Sequence, residues 1–264
     1  MSSEKTRENS ASGPVSDSAA PSASQARPKR KLIAPWWHTL SVLGIFAFFA
    51  WRGAIAATKS GAASGEAGPS TNAYLVQNLI LIAEEILMVV WIWAGVHWRN
   101  RTLGDLVRGR WASWRDAARD FAIAIPFWVI WEATALLCVH FLYSTSTSES
   151  GVPYHVPSHV AEIASWFVVC VAAGICEEIV FRGYFLLQFQ AMTGSVVAAV
   201  APQAIVFGFA HTYKGWRQVV TITVLGVLYG LLVVWRRNLR ASMVAHAFSD
   251  MYEGFLKFLL PWHP

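Results

Sequence analysis

The run Glu177-Glu178-Ile179-Val180-Phe181-Arg182 places two carboxylates and a guanidinium inside an otherwise apolar stretch. Charged side chains cost a few kcal/mol each at membrane depth, so an ionisable cluster there reads as a functional site by default. On a helix, Glu178 and Arg182 stand four apart and share a face, where they can neutralise each other. Glu177 points about 100° away from Glu178 and is left for a water molecule or a partner on another helix. A buried carboxylate with no cation beside it suits general acid–base work near neutral pH. An ion-pair network that only locks helices together is the competing reading of this segment.

Two further pieces carry imidazoles. Phe207-Gly208-Phe209-Ala210-His211 ends an apolar stretch, with Phe207 and His211 on one face and Gly208 permitting close approach of a neighbouring helix. In His246-Ala247-Phe248-Ser249-Asp250 the His and Asp are also four apart, so Asp250 can orient the ring or line the same cavity. Taken singly, each is commonly structural. Together, Glu177, His211 and His246 could also ligate Zn²⁺ with an open coordination position. There is no His-Glu-x-x-His helix and each ligand lies on a different segment, so a metal-free water activated by Glu and His is equally compatible.

The elements that must position these groups are membrane spans. The chain is 264 residues long, 55% hydrophobic and only 14% charged, with mean hydropathy +0.40. A soluble domain carries about a quarter charged residues. Seven apolar segments are long enough, or nearly so, to cross hydrocarbon: 35–57, 72–97, 120–143, 160–189, 195–213, 217–235 and 240–262. The first contains Arg52 and the fifth Pro202. The expected fold is an all-α polytopic bundle with an intramembrane polar cavity. Residues 1–31, rich in Ser, Ala and Pro, read as a disordered tail, and 32–264 as the transmembrane domain. The basic residues of the tail, of 98–119 and of 236–240 place those segments and the N-terminus in the cytoplasm by the positive-inside rule. The 144–158 loop, with no Lys or Arg, falls outside, and the cavity is expected to open to the cytoplasmic side. The net charge of +5 sits beside apolar spans and signals topology rather than nucleic acid. Cys138, Cys170 and Cys176 form no Cys-x-x-Cys pair and read as small apolar residues.

The order Glu-Glu-x-x-x-Arg, Phe-x-x-x-His, His-x-x-x-Asp on three separate segments resembles the CPBP intramembrane protease family. That family comprises the CAAX prenyl endopeptidases and the Abi-type bacteriocin-processing or immunity proteins. The flanks Phe181-Arg182-Gly183-Tyr184 and Gly226…Tyr229-Gly230 are similar too, and the resemblance covers 160–255. It implies an endopeptidase acting on a membrane-associated, lipid-modified or bacteriocin-type peptide. Glu177 would activate water with help from His211, and His246 with residue 250 would bind that water or the oxyanion. The family is usually labelled metalloprotease. Where it often has Asn, this chain has Asp250; an ionised Asp cannot donate a hydrogen bond to an oxyanion.

Other intramembrane charges imitate a site. Glu84-Glu85 lacks an Arg at the equivalent spacing and reads as packing, as a contact to Arg52 or as the lining of a polar passage. Glu132 reads as an extension of the cavity or a helix–helix hydrogen bond. Two other function classes compete: a non-catalytic immunity or peptide-binding protein, and a transporter, which predicts internal repeats that the chain does not show.

Overall fold

In hydrocarbon each backbone N–H must find its partner within its own segment, so long apolar runs become long helices. The computed structural model describes residues 31–60, 69–143 and 155–256. The described residues are helical, with short connections: α1 (Trp36–Ser60), α2 (Thr71–His97), α3 (Leu103–Val107), α4 (Trp114–Tyr143) and α5 (Val160–Glu177). A π-helical stretch, Glu178–Phe185, continues α5 into α6 (Leu186–Thr193). Then come α7 (Val197–Phe209), a 3-10 turn at Thr212–Lys214, α8 (Trp216–Arg236), α9 (Arg240–Met251) and a π-turn to Leu256.

Five helices among the described residues are long and apolar enough to cross a membrane: Trp36–Lys59, Thr71–His97, Trp114–Leu142, Val160–Thr193 and Trp216–Arg236. The count of about seven from sequence is approximate beside these five. The 195–213 segment forms only the short helix Val197–Phe209 before it turns, and the helix from Arg240 passes into a π-turn at Tyr252. Of the two, only Val197–Phe209 is an apolar helix, and it is too short to cross a membrane. The tail over 1–30, residues 61–68, the 144–154 part of the 144–158 loop and 257–264 lie outside the described residues.

The segments 98–119 and 236–240, assigned to one side by charge, do share one end of the bundle. Asp120 is fully buried there and accepts from Arg236 Nη2 at 2.8 Å and Trp111 Nε1 at 2.8 Å, with Arg240 Nε at 3.0 Å. Leu239 N donates to Val107 O across the same junction. At the opposite end Thr71 Oγ1 donates to Glu162 Oε1 at 2.8 Å.

α1 and α2 meet at the first of these ends and diverge toward the other. His38 stacks on Trp91 with ring centroids 5.2 Å apart, and Trp37 meets Trp98 edge-on at 5.9 Å. Gly95 allows this approach, since a Cβ there would collide with the His38 ring. Gln188 staples the start of α1 to α6, accepting from Ile33 N and Ala34 N and donating to Ala34 O and Thr39 Oγ1.

Candidate active site

Glu177 is the last residue of α5, and the π-helical stretch that follows buries all of its residues, Glu178 to Phe185. Such widened turns recur at functional sites. Within it Arg182 Nη1 donates to Glu178 Oε1 at 2.8 Å, both side chains being fully buried. The pairing expected from the i, i+4 spacing is thus present. The guanidinium also lies 4.2 Å from the Phe207 ring centroid and 4.9 Å from that of Tyr229, and it donates to Gly226 O. These ring faces and the carbonyl offset the loss of hydration.

α9 brings His246 onto this pair. Its Nδ1 lies 3.0 Å from Glu178 Oε1, which fixes Nδ1 as the donor and leaves Nε2 as the working nitrogen. Nε2 faces Glu177 Oε2 and Asp250 Oδ2, each at 3.7 Å. The ring stacks on Tyr229 and meets Phe207 edge-on. Glu178, not Asp250, therefore orients His246, and Asp250 lies on the Nε2 side.

His211 lies just past the end of α7. Its Nδ1 donates to Phe207 O at 2.9 Å, which leaves Nε2 to accept a proton. The turn after α7 brings it beside Glu177: His211 and Glu177 line one cavity of about 430 Å³. Two close approaches fix this geometry. Thr212 Oγ1 donates to Ala50 O of α1 at 2.6 Å, and a Cβ on Gly53 would stand 2.7 Å from Thr212 Oγ1. Gly208, in turn, lies against Val219 and Thr223 of α8, as its size suggested.

The cavity walls come from α1 (Phe46, Phe49, Arg52), α2 (Leu81, Glu84, Glu85), the Glu177–Phe181 segment and the His211–Tyr213 turn. On α1 they lie well beyond the Trp37–Trp98 and His38–Trp91 contacts. Those ring contacts join α1 and α2 on the side of the cavity toward the basic end. Sequence reading missed Tyr213 as a cavity residue and held the lining of a polar passage as only one of three readings of Glu84-Glu85; both carboxyls line the cavity. Tyr213 carries no sequence signal, whereas Glu85 has one in its spacing from Thr71 and Asn78. Glu132 is not among the residues that line this cavity.

The donor set of two imidazoles and a carboxylate is chemically suited to Zn²⁺. Among the described residues, however, no group of three or more His, Cys, Asp or Glu side chains is arranged to hold a metal ion. No step below is routed through a metal. Cys138, Cys170 and Cys176 are free thiols, the last two buried.

Helices of membrane length around a cavity that holds ionisable side chains define an integral membrane protein with an intramembrane polar site. Residues 159–252 match the family model described as type II CAAX prenyl endopeptidase Rce1-like. That segment is similar to the CAAX prenyl endopeptidases, and it contains Glu177, Glu178, Arg182, His211, His246 and Asp250. No curated protein and no solved structure shows a significant match to the chain.

Proposed function

We propose that the protein is an intramembrane endopeptidase that hydrolyses a peptide bond in a membrane-associated or lipid-modified peptide. One observation carries this reading: Glu177 and His211, from distant helices, line one cavity whose other walls include Phe46, Phe49, Leu81 and Phe181. Apolar walls suit a lipid-anchored or apolar peptide, and the paired acid and imidazole suit water activation.

In the proposed reaction Glu177 takes a proton from water as its oxygen attacks the scissile carbonyl carbon. His211 Nε2, free to accept, shares that task. The tetrahedral oxyanion forms, the C–N bond breaks, and the proton passes to the leaving nitrogen. His246 and Asp250 are not among the residues that line the cavity, but His246 Nε2 lies 3.7 Å from Glu177 Oε2 and in this reading binds the attacking water or the oxyanion, its orientation fixed by Glu178 and Arg182. Asp250 completes this side and holds water when ionised or donates a hydrogen bond when protonated. Zn²⁺ held by Glu177, His211 and His246 is the competing proposal. A chelator that leaves the cleavage rate within about twofold favours the metal-free form. Loss of cleavage restored by added Zn²⁺ favours the metal.

The test compares wild type with Glu177→Ala and His211→Ala in proteoliposomes, by peptide profiling of membrane fractions and by cleavage of a quenched fluorescent farnesyl-cysteine peptide. Positioned acid–base groups contribute about 10²–10⁴-fold, so each variant should lose at least that much while staying membrane-inserted. Wild-type-like proteolysis in both variants ends the proposal. Uncleaved substrate trapped by wild-type protein would instead support the binding or immunity role. The cytoplasmic placement of the N-terminus belongs to the same proposal, and cysteine accessibility at the tail checks it.

A further inference from the structure

Glu85 lies on α2, outside the 159–252 segment that carries the family match, yet it lines the cavity with Glu177 and His211. Its place follows from register. Thr71, Asn78 and Glu85 are spaced by seven, so they lie on one face of α2 two turns apart. That face packs against α5, where Thr71 Oγ1 donates to Glu162 Oε1 and Asn78 Nδ2 donates to Ser165 Oγ at 2.9 Å. The helices run parallel. From Thr71 to Glu85, α2 rises about 21 Å, and from Glu162 to Glu177, α5 rises about 22 Å. The third polar position on the α2 face thus arrives level with Glu177, and both side chains line the same cavity.

We propose that Glu85 is a positioning residue for Glu177. The two carboxyls share one proton in a hydrogen bond that fixes the Glu177 side chain, while its other oxygen faces the cavity. Glu177 Oε2 accepts no hydrogen bond from the described residues, and His246 Nε2 at 3.7 Å is too distant to fix it. A second carboxyl therefore supplies the orientation that the motif helices do not. Arg52 and Glu84 on the facing walls are the other charged groups of the cavity. This inference rests on the endopeptidase reading for its kinetic test but not for its spectroscopic one.

The test uses full-length protein in proteoliposomes with the farnesyl-cysteine peptide. Glu85→Leu removes the hydrogen bond and should lower kcat by about 10²-fold, the typical cost of a slightly misplaced catalytic group, with KM within twofold. Glu85→Gln keeps an N–H that donates to Glu177 and should restore kcat to within about fivefold of wild type, consistent with the modest net value of one hydrogen bond. Thermal midpoints identify any variant that simply fails to fold. Wild-type kcat in Glu85→Leu, or equal loss in a well-folded Glu85→Gln, overturns the proposal. Independently of cleavage, the infrared carboxylic C=O band of the shared proton should vanish in both Glu85→Gln and Glu177→Gln. A band unmoved by Glu85→Gln overturns the pairing. Cleavage by Glu177→Ala with the band behaviour intact would sink the protease reading and leave the pairing standing.

Discussion

Replacing Arg182 by Met tests how the buried charges are held. Glu178 is fully buried and its Oε1 receives Arg182 Nη1 at 2.8 Å and His246 Nδ1 at 3.0 Å. Met preserves much of the volume between Phe207 and Tyr229 but leaves the carboxylate without its guanidinium. Breaking a buried pair by removing one partner costs about 3–5 kcal/mol, because the remaining charge is uncompensated. Against a total stability of about 5–15 kcal/mol, that is a large fraction. Glu178→Gln alone strands the guanidinium and should cost a similar amount. The double variant Glu178→Gln/Arg182→Met removes both charges, and the amide oxygen it introduces can still accept from His246. It should recover to within about 2 kcal/mol of wild type, since neutral replacement of a buried pair is often harmless. Reversible unfolding in mixed micelles, followed by circular dichroism, gives the four stabilities of the cycle. A coupling energy near zero, or an Arg182→Met cost below about 1 kcal/mol, would refute the claim that Arg182 exists to neutralise Glu178.

Further outcomes follow from close contacts and stranded groups. Gly226→Ala places a Cβ about 3 Å from Phe207 Cδ1 and Ala204 Cα of α7; overpacking should cost about 1–3 kcal/mol in the same unfolding assay. Gln188→Leu strands the amides of Ile33 and Ala34, which both donate to Gln188 Oε1. It should destabilise by about 1–3 kcal/mol per stranded group and raise hydrogen exchange at the start of α1. Asp250→Asn supplies a permanent donor beside His246 Nε2, so cleavage should be retained or rise. A tenfold loss would show that the carboxylate itself is required.

Much of the site was legible because its parts are local. Glu178 and Arg182 pair at the spacing a helical turn dictates. The placement of His211 was not legible. Its depth depends on where the short helix Val197–Phe209 stops and how the following turn docks on α1 through Thr212 and Gly53. The orienting partner of His246 was left open, because the local candidate Asp250 competes with Glu178 from another helix and only packing chooses between them. Span counting from composition is approximate for the same reason, since an apolar helix buried among helices and one facing lipid have the same composition.

By itself the sequence determined the class and the chemistry: long apolar runs must become helices, and the costly carboxylates and imidazoles within them must face one another or a cavity. It also determined a periodic face, Thr71, Asn78 and Glu85, whose meaning it could not give. Tertiary structure decided which groups meet. The approach of α9 puts His246 on Glu178, the turn after α7 brings His211 level with Glu177, and the parallel packing of α2 on α5 delivers Glu85 beside it. Those meetings depend on helix register and crossing, which arise from contacts between residues far apart in the chain and leave no mark in any single segment.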